Sequence, residues 1–340
     1  MRRSPLAAIT VTVLATILVL AGCSTEPIKT GASSNQSAHL RSGPQTANVT
    51  TPAIRPVADN PTPTLPVTVP SVGTGDVTVR SADRIISLDR NGTLGTIVYS
   101  LGLGSHVVAR DQSTTFPQAA GLPVVTGGAH QVDVEAVLKA NPTVVLADEL
   151  TGAATLNQLR SAGITVVVFS GDRSVNGAPT LIEQVAAALG VPAAGKTLAD
   201  RTRTEIAAAI KKVPQSNPRP KIAFMYLRGS LQFIAGKDSS ADGLITALGG
   251  SDAGADAGLT TEFTQITPEA MINANPDVLL VMSQGADSVG GMDAVLKLPG
   301  IAQTNAGRDR RIVQMDQTEL LAFGPDTGAV ITALAQAMYK

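Results

Sequence analysis

A thirteen-residue segment occurs twice in this chain, and that duplication limits what the chain can fold into. Val134-Glu135-Ala136-Val137-Leu138-Lys139-Ala140-Asn141-Pro142-Thr143-Val144-Val145-Leu146 returns as Pro268-Glu269-Ala270-Met271-Ile272-Asn273-Ala274-Asn275-Pro276-Asp277-Val278-Leu279-Leu280, at a constant offset of 134 residues. Each copy predicts a short helix led by a glutamate and stopped at Asn-Pro, because the residue before a proline is pushed out of the α region. An apolar run follows, suited to a parallel strand buried on both faces. The offset is too long for a solenoid and fits two duplicated lobes.

The pattern around the repeat agrees. A β-rich run at Arg84-Ile85-Ile86-Ser87-Leu88 precedes a helix-like stretch from about Thr93 to Leu103 and a strand at His106-Val107-Val108-Ala109. A helix at 132–140, a strand at 143–146, a helix at 154–162 and a strand at 164–169 continue an alternation expected of parallel α/β layers. Residues 193–213 are dense in Ala, Leu, Lys, Arg and Glu and are bounded by Pro214 and Pro218, which predicts one long helix. A second lobe opens at the strand Lys221-Ile222-Ala223-Phe224-Met225-Tyr226 and closes on a helix after Pro325. The expected fold is α/β: two Rossmann-like lobes, at 81–192 and 219–340, joined by a single helix at 193–214.

The N-terminal part reads differently. Arg2 and Arg3 precede an apolar stretch from Leu6 to Leu20, the order of a secretory signal. The next residues, Leu20-Ala21-Gly22-Cys23, resemble the lipobox of bacterial lipoproteins, which implies removal of residues 1–22 and acylation of Cys23. From there to about residue 80 the chain is rich in Ser, Thr, Pro, Asn and Gly, and is expected to be a disordered tether in which His39 is incidental. Cys23 is the single cysteine, so intrachain disulfides and cysteine-based zinc or iron–sulfur sites are excluded. A formal net charge of -1 supplies no field for nucleic acid, and none is expected as a partner. No nucleophile elbow or phosphate-binding loop occurs, and Leu101-Gly102-Leu103-Gly104 lacks the third glycine of a dinucleotide fingerprint. A binding protein is expected, not an enzyme.

Two histidines fall in the folded part, too few for a histidine-rich transition-metal site unless carboxylates complete it. His106 begins an apolar strand and reads as structural. His130 follows Thr126-Gly127-Gly128-Ala129, a loop entering the Glu135 helix, and loops on a rigid scaffold concentrate binding residues. Tyr226-Leu227-Arg228 ends the first strand of the second lobe, where period two places Tyr226 and Arg228 on one face. A guanidinium near a phenol favours the phenolate, a hard donor suited to Fe(III).

Two α/β lobes on one helix behind a lipobox resemble the helix-linked (class III) binding proteins of ABC importers that carry haem, siderophores and cobalamin, over about residues 84–340. A histidine after a glycine pair, with Tyr-x-Arg on the first strand of the other lobe, further resembles the haemin-binding lipoproteins of Gram-positive haem-uptake systems. That resemblance implies ferric haem b as the transported ligand, His130 and Tyr226 as its axial ligands, and Arg228 as support for Tyr226. Met282 closes the strand of the second repeat, where it either packs in the core or contacts the haem, with Met292 the alternative contact, and Arg90, Arg110 and Arg173 follow predicted strands of the first lobe and are candidates for the propionates. The resemblance also implies that Glu135 and Glu269 dock on the permease and that the protein is lipid-anchored on the extracytoplasmic face of the cell membrane. A ferric siderophore or cobalamin is the other cargo of the class, and it would leave His130 and Tyr226 without a shared task.

Overall fold

A computed structural model of the chain describes residues 39–49, 54–229 and 231–340. The leader, Cys23 and residues 24–38 lie outside the described residues. Among those described, no helix is long and apolar enough to cross a membrane.

The strands of the first half, in chain order, are β1 (Gln45–Thr46), β2 (Val67–Ser71), β3 (Gly75–Val79), β4 (Ile85–Leu88), β5 (Val107–Arg110), β6 (Val144–Asp148) and β7 (Thr165–Phe169). The last four form an all-parallel sheet in the order β5-β4-β6-β7. β6 is buried at all five positions because helices cover both faces of the sheet. The second lobe contributes β8 (Lys221–Arg228), β9 (Leu231–Ala235), β10 (Ser251–Asp252), β11 (Phe263–Gln265), β12 (Val278–Met282) and β13 (Ile312–Met315). Its sheet runs β1-β13-β12-β8-β9-β11, with β10 beside the start of β8. The core of this sheet, β13-β12-β8, is parallel, and β9 and β11 add antiparallel strands at one edge.

The repeat is realised residue by residue. Asp133 and Thr267 cap the two short helices by accepting from Ala136 N (3.0 Å) and Ala270 N (3.2 Å). Val137 and Met271 are buried beneath them, and β6 and β12 follow. Asn141 and Asn275 both adopt left-handed backbone, with φ of 49° and 43°, which asparagine tolerates better than other side chains.

One helix, Pro192–Lys212, joins the lobes. Its buried residues Gly195, Leu198, Ala199, Thr202, Ile206 and Ala209 recur at the three- and four-residue spacing of a single stripe. Two glycines let it be gripped from both sides. A Cβ at Gly195 would lie 2.3 Å from Ala186 Cβ of the first lobe's helix Ala178–Ala188, and one at Gly328 in the last helix, Thr327–Met338, would lie 2.7 Å from the Glu205 carbonyl carbon. The helix is therefore packed against both lobes and does not hang between them. The fold is the two-lobed, helix-linked α/β architecture.

The expected disordered tether over 23–80 is corrected by the structure from residue 39 onward. β1 adds to the edge of the second sheet, with Arg41 N donating to Met338 O and Ala47 N to Gln314 O, each at 2.8 Å, and with Leu40 and Ala47 buried. Further along, Val57 N donates to Ser100 O (2.9 Å), Thr64 N to Gly190 O (2.8 Å), and the β2–β3 hairpin reaches β7 through Val72 N and Val168 O (2.9 Å). Backbone pairing, which is indifferent to side-chain polarity, orders a segment whose composition reads as disordered.

Candidate functional site

In the first sheet the strand order reverses between β4 and β6, which opens a crevice at their C-terminal ends, the usual place for a ligand in an open α/β sheet. A cavity of about 320 Å³ lies there, lined among others by Asp89, Arg90, Thr126, His130, Leu150 and Thr151. The loops at this edge meet the second lobe: Asn91 Nδ2 donates to Leu321 O (3.1 Å) and Thr93 Oγ1 to Ala322 O (2.7 Å). The crevice therefore opens beside the junction of the lobes.

His130 is held in this crevice by an unusual loop. Ala129 and His130 both have positive φ, 56° and 59°, a conformation that costs a non-glycine residue energy. Gln112 N donates to Thr126 Oγ1 (2.8 Å) at the start of the loop, and the Gln112 amide nitrogen sits 3.4 Å from His130 Nδ1 at its end. Burial lowers the pKa of His130, the neighbouring positive charge of Arg90 lowers it further, and Asp89 opposes both. The imidazole thus stays neutral at neutral pH with a lone pair to offer, as metal ligation requires.

Three buried carboxyls cluster at the strand ends, Asp89 in the lining of the cavity with Asp111 and Asp148 near it, and sequence reading missed all of them. Asp89 accepts from Thr93 N (3.0 Å) and Leu94 N (3.1 Å), and Asp111 from Ser113 N (2.9 Å), Thr114 N (2.7 Å) and Asp89 N (3.1 Å). Asp148 pairs with Arg173 at 3.5 Å. Burial raises the Asp89 pKa. Burial and the Asp89 charge push Asp111 up to about 7, and the same two causes, against Arg173, push Asp148 up to about 6. The signal was present: Asp89, Asp111 and Asp148 each stand at the end of an apolar strand, β4, β5 and β6.

Arg173 is thereby committed to the protein's own carboxyl, and Arg110 donates to Asp111 O (3.1 Å). Of the three arginines singled out in the sequence, Arg90 is the one that lines the cavity. His106 is structural, with Nδ1 3.0 Å from Ala82 O and Nε2 2.9 Å from Asn60 Oδ1.

On β8, Ile222 and Phe224 pack into one core cluster, with Tyr226 partly buried against it, while Ala223, Met225 and Leu227 pack into another, the period-two pattern. The Tyr226 ring lies 6.0 Å from Phe233 and 5.9 Å from Phe263, tilted against each. Arg228 is exposed at the strand end, and among the described residues no hydrogen bond joins it to Tyr226. Tyr226 and Arg228 do not line the cavity that holds His130. Met282 is 2% exposed and packs in the core of the second lobe. Met292 is partly buried against the core on the opposite face. Glu135 and Glu269 are both exposed in the first turns of their helices.

Residues 90–319 match the periplasmic binding protein family. The solved heme-binding protein HmuT is 34% identical with a TM-score of 0.79, covering 88% of this chain and 97% of that one. HmuT has also been solved with alanine replacing a histidine, a tyrosine, and the arginine two positions after that tyrosine. The periplasmic heme-binding protein RhuT from Roseiflexus sp. RS-1 is 41% identical with a TM-score of 0.68, covering 75% of this chain and 97% of its own. A cobalamin-binding protein of Halobacterium salinarum is 28% identical over 281 residues, 81% of this chain and 74% of that protein. With its two lobes on one helix, the chain belongs to the periplasmic binding protein family and is a class III substrate-binding protein of the ABC-importer type, homologous to haem- and cobalamin-binding proteins.

Proposed function

We propose that this protein binds ferric haem between its lobes, with His130 and Tyr226 as axial ligands, and hands it to an ABC permease. The observation that carries the reading is the composition of one crevice: a neutral imidazole at His130, the cation Arg90 and the exposed Leu150. These match the three chemistries of haem, an iron, a propionate and an apolar macrocycle face. Burial of the macrocycle supplies much of the affinity, and the axial bonds fix its orientation. Tyr226 brings an oxygen donor from the other lobe, and the cationic Arg228, two residues along the same strand, favours its phenolate form. The alanine variants of HmuT support this assignment, because their tyrosine and arginine have the spacing of Tyr226 and Arg228. Two further roles belong to the proposal. Cys23 carries the lipid anchor after loss of residues 1–22, and Glu135 and Glu269 dock one lobe each on the permease.

Cobalamin is the second reading, favoured by the Halobacterium salinarum relative. Equilibrium dialysis of the purified protein against equimolar haemin and cyanocobalamin separates the two. Retention of haemin is expected; retention of cyanocobalamin alone, or of neither, overturns the haem proposal. For the anchor, Cys23→Ala protein is expected in the soluble fraction, and wild type that retains residues 1–22 after export contradicts it.

A further inference from the structure

Among the described residues, two side-chain hydrogen bonds cross from the first lobe to the second, and both end on one loop: Asn91 Nδ2 donates to Leu321 O (3.1 Å) and Thr93 Oγ1 to Ala322 O (2.7 Å). Each side of this latch is rigidly built. On the first lobe the chain wraps the Asp89 carboxylate, which accepts from Thr93 N and Leu94 N, and Ser113 Oγ closes on Arg90 O (2.6 Å). Gly92, at φ 70°, lies so near Ser113 that a Cβ there would come within 2.6 Å of the Ser113 carbonyl oxygen. On the second lobe Phe323 has a φ of 43°, a conformation that costs a bulky residue energy, and it is held there with 4% exposure in the core. The next residue, Gly324, accepts from Thr327 Oγ1 (2.8 Å), and a Cβ on it would stand 3.0 Å from Thr93 Cγ2. Backbone strain of this kind persists only where surrounding contacts over-determine it, and it concentrates at functional positions.

The latch adjoins one half of the proposed site and stands off from the other. Asp89 and Arg90, in the same loop as Asn91 and Thr93, line the cavity that holds His130. The loop 321–325 follows β13 and the short helix Gln317–Leu320, and the strand order β13-β12-β8 puts the strand of Tyr226 two strands away, about 10 Å at the ordinary spacing. With that lever arm, a turn of about 1° at the latch shifts Tyr226 by about 0.2 Å, the whole tolerance of a coordination distance. We infer that Asn91, Thr93 and Gly324 are positioning residues that fix the angle between the lobes and so set the separation of His130 and Tyr226. The inference rests on the haem reading and adds to it. The three residues act through the two donors, deciding whether groups on different lobes reach one iron.

The test titrates variants of the purified full-length protein with haemin. Thr93→Val removes the hydroxyl and keeps the shape, Gly324→Ala adds one methyl group between the lobes and removes no hydrogen bond, and Thr93→Ser keeps the hydroxyl. Thr93→Val and Gly324→Ala are expected to retain a saturable Soret change but to lose the phenolate charge-transfer absorption of the wild type, and to bind haemin about fivefold more weakly, the net worth of one hydrogen bond. Thr93→Ser is expected to match the wild type. Asn91→Ala is expected to behave as Thr93→Val does, and with Gly324→Ala it decides the matter should Thr93→Val fail to fold. A purely structural role would lower the denaturation midpoint of Thr93→Val and leave its haemin spectrum as in the wild type. That result, a wild-type spectrum in Gly324→Ala, or loss of the charge-transfer absorption in Thr93→Ser overturns the inference while the haem reading stands. No saturable Soret change in the wild type overturns both.

Discussion

Replacing Arg173 with methionine tests whether the buried carboxyl of Asp148 is held by one buried cation. Arg173 and Asp148 lie 3.5 Å apart with side chains only 8% and 5% exposed, and Arg173 also donates to Ser170 O. Burial and Asp89 hold the Asp148 pKa at about 6 against an ordinary 3.8, with Arg173 pulling it down. A rise of roughly two units corresponds to about 3 kcal/mol. Because the folded pKa lies above the unfolded one, the native state keeps a proton that the unfolded chain releases. Stability is therefore greatest below about pH 4 and falls as the pH climbs to about 6. Without Arg173 the carboxyl loses the cation that opposes its burial, its pKa climbs further, and the loss continues above pH 6. Arg173→Met is expected to cost about 3–5 kcal/mol at pH 8, the range for breaking a buried pair, and about 1 kcal/mol at pH 5, where Asp148 is mostly protonated in both proteins. Guanidinium denaturation followed by circular dichroism at the two pH values measures this, and Asp148→Asn in the Arg173→Met background should recover most of the loss at pH 8. Equal destabilisation at both pH values, or no recovery in the double variant, refutes the reasoning.

Three further outcomes are expected. Phe224→Ala removes a fully buried ring that packs 6.0 Å from Phe263 and should cost about 3–5 kcal/mol in the same denaturation assay, with a loss under about 1 kcal/mol contradicting its core role. Asn141→Ala should cost about 1 kcal/mol through its positive φ, and Asn141→Gly should cost nothing; at Asn275 glycine should fail to restore stability, because Asn275 Oδ1 also accepts from Asn305 N at 2.8 Å. Arg90→Ala should move the His130 titration, followed by NMR, toward the ordinary 6.5, since the positive charge that lowers it is gone, and an unmoved titration contradicts that cause.

The parts of the fold that were legible in the sequence are those where side-chain chemistry sets structure. Asn-Pro at two equivalent positions marked where both repeat helices stop, and the runs Val144–Leu146 and Val278–Leu280 marked strands buried on both faces. The described residues between 39 and 80 were misread because β1 joins its sheet through backbone hydrogen bonds and the few apolar side chains that pack against the cores, Leu40, Ala47, Ile54, Val57 and Leu65 among them, are widely spaced in a polar sequence. The β2–β3 hairpin did carry a signal, the alternation of Val67, Val69, Val77 and Val79 around Gly73-Thr74-Gly75, which Pro66, Pro70 and the polar composition obscured. In the site, the glycine pair before His130 marked the loop, whereas Asp89, Asp111 and Asp148 are scattered along the chain and become neighbours only when the strand order brings β4, β5 and β6 together.

The haem proposal is tested most directly by the visible spectrum of the purified protein titrated with haemin, read beside His130→Ala, Tyr226→Ala and Arg228→Ala. The wild type should show a saturable Soret change at one haem per chain together with phenolate charge-transfer absorption. That absorption should vanish in Tyr226→Ala, the Soret band should shift in His130→Ala, and in Arg228→Ala the phenolate signature should appear only at higher pH, because the cation favouring it is absent. No saturable Soret change in the wild type, or a wild-type spectrum retained by both His130→Ala and Tyr226→Ala, contradicts the assignment of this crevice to haem.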